Sequence, residues 1–242
     1  MTFVLVHGGG CDSRCWSPLI PHLDGPVIAV DLPGRGTRPA RLEDLTVSDF
    51  VDAVVDDLEV HDLRDVVVVG HSLAGITLPG VAVAAPDRVA HLIFVSCAIP
   101  APGTSIIESL GAFSPAAAEI ADQIGGDVIT ANGTLHPDLA TAMFCNDMDA
   151  EQVAFTLDLL VPESFNALSQ PLASTGLPTR VPSTYIRLLR DASLSLETQT
   201  EMLARLGEPE IIDVDAGHLA MITQPVALAA VLNEISRRSP GG

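Results

Sequence analysis

The chain has 242 residues, 48% of them hydrophobic and only 18% charged, enough apolar material for one large domain or a domain carrying an insertion. Asp and Glu number 31 against 12 Lys and Arg, a formal net charge of −19. That field argues against nucleic acid and anionic membrane as partners, and its plainest reading is a solubilising surface. No apolar run approaches the ~18 residues of a membrane span.

The opening residues MTFVLVHGGG have no basic stretch ahead of the apolar run, so they read as a strand over 2–7 rather than a signal peptide, and a cytoplasmic location is expected. WSPLIPHL (16–23) suits a short helix, and PVIAVDLPG (26–34) a second strand ending in a Pro-Gly turn. LTVSDFVDAVVDDLEVH (45–61) has helical apolar spacing with Thr46 or Ser48 as N-cap. DVVVVG (65–70) is a third strand, LAGITLPGVAVAA (73–85) a helix of small residues, and HLIFVSCA (91–98) a fourth strand. From about 101 to 182 the rhythm changes to helical pieces near 114–124, 137–144 and 149–160, with no convincing strand. After Pro182 it returns, with strand 183–191, helix 196–206, strand 209–218, and a closing helix 225–238 that starts at Pro225. Alternating strands and helices imply right-handed crossovers and an α/β architecture with a mostly parallel sheet. Strands this uniformly apolar fit helices on both faces. The division expected is a core of 1–100 and 183–242, with a helical cap insertion over 101–182.

The buried run VVVVG ends in GHSLAG (70–75), a Gly-x-Ser-x-Ala-Gly variant of the strand–nucleophile–helix turn. Small residues are needed where strand and helix pass closely on either side of a strained serine, and alanine meets that need. The competing reading of Ser72 is a structural serine at an ordinary β–α turn. His7-Gly8-Gly9-Gly10 ends the first strand, and glycines let backbone N–H groups face a ligand. Acyl transfer needs two such donors where oxyanion charge develops, here assigned to Gly9 and to Leu73, the residue after the serine. A plain flexible turn is the alternative. A phosphate loop is disfavoured because no Gly-Lys-Ser/Thr follows.

Of seven histidines, His22, His61 and His91 read as structural and His136 as a helix-start residue. His7 and His71 flank the proposed site but precede the motif residues. His218 lies late in the chain, at a strand's carboxyl end, where a general base should project. For the orienting acid, Asp213 and Asp215 sit on the strand leading to that histidine, and Asp31 is out of the order Ser…Asp…His. Asp191, after the strand 183–191, is the choice. The end of the strand 91–98 offers only Ser96 and Cys97. The four cysteines, Cys11, Cys15, Cys97 and Cys145, show neither Cys-x-x-Cys nor zinc spacing; a Cys11–Cys15 pair is the alternative to the expected reduced, structural or pocket-lining thiols of a cytosolic chain.

With these residues placed, the sequence resembles the α/β-hydrolase superfamily, and more narrowly the hydroxynitrile lyase/methylesterase group of plants with its bacterial relatives. The segments FVLVHGGGCDSRCW, VDLPGRG, VVVVGHSLAG, FCNDMDAEQVAFTLDLLVPES and YIRLLRDASL…AGHLAMITQP carry the likeness. The stretch 101–140 resembles the group least. The lyases of that group are expected to hold threonine after the first-strand histidine and lysine after the catalytic histidine. Gly8 and Leu219 stand there instead, and His71 replaces an acidic residue before the serine. The resemblance therefore implies an α/β-hydrolase fold and ester hydrolysis by Ser72, His218 and Asp191, with no cofactor and no metal.

The expected partner is a small or medium lipophilic ester. Gly8, Trp16, His71, Phe113, Phe144, Leu157, Leu219 and Met221 are the candidate substrate-binding residues, each of the large apolar ones equally suited to plain core. Thioester, lactone or cyclisation chemistry on the same triad, or a receptor-like binding protein, are the alternatives. The oligomeric state is not legible, and a homodimer is allowed.

Overall fold

The computed structural model describes residues 1–110, 114–172 and 181–239. Six strands are formed: β1 Phe3–Val6, β2 Val27–Val30, β3 Val66–His71, β4 Val89–Val95, β5 Ser183–Leu188 and β6 Glu210–Val214. They build one sheet in the order β2-β1-β3-β4-β5-β6, and every neighbouring pair is parallel. The first helices of the core are α1 Val47–Val60 and α2 Leu78–Ala84. Between β4 and β5 run α3 Ile106–Leu110, α4 Pro115–Gln123, α5 Pro137–Phe144, α6 Ala150–Asp158 and α7 Phe165–Leu168. The chain closes with α8 Leu196–Leu203, α9 Ala220–Thr223 and α10 Pro225–Arg238.

Successive side chains of a strand point to opposite faces, and this alternation sorts the core into two layers. Val4, Val6, Val66 and Val68 pack with Phe50, Val54 and Leu58 of α1, Leu78 and Val81 of α2, and Met202 of α8. Phe3, Leu5, Val67 and Val69 pack on the other face with Trp16, Met221 of α9, and Leu228, Leu232 and Ile235 of α10. All six residues of β3 are buried, which is why its first four are all valine. The edge strand β6 has three of its five residues exposed. Burying one such Val or Leu is worth about 1.5–3 kcal/mol.

Local chemistry sets the element boundaries. Helix α1 starts at a capping box in which Thr46 and Asp49 satisfy each other's backbone N–H groups, so Thr46 rather than Ser48 is the cap. The helix expected over 16–23 is instead two short 3-10 turns, Ser13–Trp16 and Ile20–His22, because Pro18 and Pro21 remove the donors an α-helix needs. The helix expected over 73–85 is likewise divided into a 3-10 turn, Ser72–Ile76, and α2. The turn is held tight where Gly75 passes the Ala98 carbonyl so closely that a Cβ would strike it. Residues 129 and 135 meet in a single antiparallel bridge, the one pairing of strand type among the described residues between β4 and β5.

Candidate active site

In this strand order the connections from β1 and from β3 leave in opposite directions, β1 toward β2 and β3 toward β4. Such a switch point opens a crevice at the carboxyl ends of the two strands, and both glycine-rich motifs end there. Ser72 follows β3 with φ 51°, the left-handed region that costs a residue with a Cβ on the order of 1–3 kcal/mol. Its surroundings hold it there. The Ala98 N–H donates to the Ser72 carbonyl at 2.9 Å. A Cβ on Gly70 would come within 2.9 Å of the Ala74 Cβ and 2.6 Å of Leu78. Small side chains at 70 and 74 are therefore demanded by contact, and alanine serves at 74.

Three distant side chains meet at this crevice. His218 Nε2 lies 3.1 Å from Ser72 Oγ, and His218 Nδ1 lies 2.7 Å from Asp191 Oδ2. The Asp191 carboxylate accepts two further N–H bonds on Oδ1, from Ser193 and Leu194, each at 2.8 Å. Its Oδ2 accepts the Ser96 hydroxyl at 2.6 Å. Burial pushes this carboxyl up, but the charge and hydrogen bond of His218, the Ser96 hydroxyl and the Leu194 N–H outweigh it and leave it below the ordinary value. An ionised Asp191 requires the proton on His218 Nδ1. The Nε2 lone pair is then free to accept the Ser72 proton.

The three groups open on a cavity of about 340 Å³. Its walls are mostly apolar, from Ile107, Leu110, Met143, Phe144, Leu159 and Leu168 among others, and Gly9, Leu73, His71 and Leu219 lie near the reacting end. Gly9 and Leu73 are in contact across the crevice, since a Cβ on Gly9 would strike the Leu73 side chain. Phe144 stacks on His218 with ring centroids 5.3 Å apart and planes at 19°. His71 forms the floor. Its Nε2 is 2.8 Å from the His218 carbonyl, which can only accept, so Nε2 carries the proton. Its buried Nδ1 has no partner among the described residues.

Other expected pocket residues sit elsewhere. Trp16 is fully buried in the second core layer and meets His71 edge-on at 6.4 Å; it supports the floor and lines no part of the cavity. Met221 is buried in the same layer, where α9 turns it toward the sheet. Leu157 is half-buried, but α6 presents Thr156 and, at its end, Leu159 and Leu160 to the cavity. Leu157 is thus one step around the helix from the lining face. Gly8 lies behind Ser72, where a Cβ would come within 3.0 Å of both Ser72 Cβ and His71 Nδ1. Phe113 lies outside the described residues. All four cysteines are buried and free; Cys11 and Cys15 line the cavity, and the Cys97 thiol donates to the Gly70 carbonyl at 3.2 Å.

Several residues of the site escaped the sequence reading. Ser96 bonds the acid rather than replacing it. Asn146 donates to the Arg190 carbonyl at 2.8 Å, and Asp147 accepts the Gly217 N–H at 2.6 Å, so two adjacent residues before α6 hold the loops that carry Asp191 and His218. Glu163 accepts the Gly10 N–H at 3.0 Å. Asn146, Asp147 and Glu163 lie in the segment 144–164 that carries the family likeness, but no spacing within it marks their partners, which are 44 to 153 positions away; only the folded chain pairs them.

The model of the alpha/beta hydrolase family matches residues 3–231. The chain belongs to that family. It is 26% identical over 250 residues to polyneuridine aldehyde esterase of Rauvolfia serpentina, spanning 97% of this chain and 95% of that one. It is also 26% identical over 254 residues to methylesterase 9 of Arabidopsis thaliana, spanning 98% and 99%. Among solved structures, an extracellular alpha/beta-hydrolase from a Paenibacillus species superposes with a TM-score of 0.78 at 22% identity, over 97% of this chain and 98% of that one. This alpha/beta hydrolase is thus related at low identity to esterases.

The histidine floor gives the family member a testable acid response. Burial, reinforced by the nearby His218, pushes His71 down to about 3 from an ordinary 6.5. The unfolded chain therefore binds a proton that the folded one refuses. The corresponding stability is complete above pH 6.5 and is lost as pH falls toward 3, by about 1.4 kcal/mol per pH unit. Urea midpoints measured from pH 7 to 4.5 should fall more steeply for the wild type than for His71→Gln. Parallel slopes would contradict a buried neutral His71.

Proposed function

We propose that this alpha/beta hydrolase is a serine carboxylesterase that cleaves a neutral, small or medium lipophilic ester through an acyl-enzyme. The observation that carries the reading is the row Ser72–His218–Asp191, at 3.1 and 2.7 Å, opening directly on an apolar cavity. The relatedness to a methylesterase and to polyneuridine aldehyde esterase supports the same class.

In this reading Ser72 Oγ attacks the ester carbonyl carbon as His218 Nε2 takes its proton. The carbonyl oxygen becomes an oxyanion and receives the N–H groups of Gly9 and Leu73. Asp191 keeps the imidazole in the useful tautomer and stabilises its charged form. His218 then protonates the departing alcohol, leaving the acyl group on Ser72. Water, deprotonated by His218, repeats the sequence, and the acid leaves with Ser72 restored. The apolar walls desolvate a neutral ester at little cost and disfavour a substrate that is itself charged near the carbonyl.

Cyanohydrin cleavage needs a fixed cation beside the histidine. Leu219 lines the cavity there, and the sequence contains no lysine: all twelve of its basic residues are arginines.

The experiment is a panel of p-nitrophenyl esters from acetate to octanoate, methyl esters, acyl thioesters, γ-lactones and mandelonitrile. Neutral esters should lead by at least about tenfold in kcat/KM, with no cyanide released. A preference for thioesters or lactones would move the reading to that chemistry, and a wild type idle on every neutral ester would end it.

A further inference from the structure

We infer that Glu163 is a positioning residue for the oxyanion loop, setting the aim of the Gly9 N–H through the backbone of Gly10. The inference rests on the esterase reading above and adds to it a residue that belongs to neither the triad nor the donors.

Glu163 belongs to the segment between β4 and β5, just before α7. Its Oε2 accepts the Gly10 N–H at 3.0 Å. Two residues earlier, the Val161 N–H donates to the Gly10 carbonyl at 2.9 Å. The stretch 161–163 thus takes both backbone polar groups of one residue, which fixes the two peptide planes that flank it. Gly10 is the residue of the loop in the left-handed region, φ 65°, where glycine has the widest freedom and most needs an external restraint. Gly9 directly precedes it. A Cβ on Gly9 would come within 3.1 Å of Glu163 Oε2, so the carboxylate also backs Gly9 itself.

A bare carboxylate beside a developing oxyanion would oppose the reaction, and here it is not bare. Glu163 Oε1 pairs with Arg35 and accepts the Ser164 N–H at 2.8 Å. Arg35 is buried, donates from Nη1 to the Pro33 carbonyl at 2.9 Å, and places its guanidinium 5.1 Å from the Phe50 ring. Its desolvation lowers its pKa only to about 10, so it stays charged at neutral pH. The cation faces the oxygen remote from the loop, and Oε2 is left as an acceptor for Gly10.

Removing either partner alone would strand a buried charge, so the pair is replaced together. E163Q/R35Q keeps an amide acceptor for the Gly10 N–H, and E163L/R35M keeps the volume without the acceptor. The readouts are kcat and KM on p-nitrophenyl butyrate, the rate of Ser72 labelling by a fluorophosphonate, and the thermal midpoint. Against the wild type, E163L/R35M should lose at least about tenfold in kcat and in labelling rate, with KM changed by less than about threefold. E163Q/R35Q should recover most of that loss.

Equal losses in the two variants would overturn the inference in favour of simple docking by the ion pair, as would an E163L/R35M protein within twofold of wild-type kcat. If E163L/R35M does not fold, E163Q/R35Q decides alone, and a folded form of it slowed tenfold or more counts against the inference. A wild type that labels but hydrolyses no ester would defeat the esterase reading, while the labelling rates still judge Glu163. A wild type that neither labels nor hydrolyses would overturn both.

Discussion

Ser72→Ala should lower kcat on a chromogenic ester by about 10⁶-fold, the scale seen when a serine nucleophile is removed from an intact site. In the proposed mechanism the whole reaction passes through one Oγ, which lies 3.1 Å from His218 Nε2, and among the described residues no other side-chain hydroxyl bonds that nitrogen. Ser96, the nearest candidate in the row, is bound to Asp191 on the far side of the imidazole. The fold should survive. The serine Cβ, the Gly70 and Ala74 contacts and the Ala98 bond to the residue 72 carbonyl are all kept by alanine. Activity is read with p-nitrophenyl butyrate, and integrity by circular dichroism and thermal melting. Turnover within tenfold of wild type by a folded Ser72→Ala protein would show that the hydroxyl is not the nucleophile.

Asp191→Asn should cost about 10⁴-fold in kcat with far less effect on folding. The magnitude is that of an acid-to-amide change which leaves a triad's geometry intact and imposes the wrong tautomer. Two N–H groups, from Ser193 and Leu194, point at Oδ1, so the amide oxygen of the introduced asparagine settles there. Its NH2 is then left facing His218 Nδ1, which must accept. The imidazole proton moves to Nε2, and Nε2 can no longer take the Ser72 proton. The loop keeps its two N–H bonds, which protects the fold. The measurement is kcat across pH 6 to 9, where the loss should persist, together with the melting temperature. A loss smaller than about tenfold would mean that Asp191 does not govern the tautomer.

The reach of sequence reasoning differed between elements for definite reasons. The strands β1, β3 and β4 are buried on both faces, so nearly every residue is apolar, His71 and His91 being the exceptions, and the runs stood out. The order Ser72, Asp191, His218 was legible because the crossover rule places every strand end on one side of a parallel sheet. The pocket walls were less legible. Trp16 and Met221 satisfy the same apolar requirement whether they face a cavity or a neighbouring helix, and hydropathy does not encode which. Leu157 missed the cavity by one helical step, an angle that depends on how α6 is rotated against the core.

Local chemistry by itself determined the α/β order, the strained turn at Ser72, the glycine loop after β1 and the three side chains of the row, because each follows from near neighbours in the chain or from strand topology. Only the tertiary structure decided that Ser96 bonds the acid, that Asn146 and Asp147 hold the two loops, that His71 is a buried floor and that Glu163 reaches Gly10. Those are single hydrogen bonds across long separations. A donor and an acceptor leave no periodicity in sequence, and their pairing exists only once packing has brought them within about 3 Å.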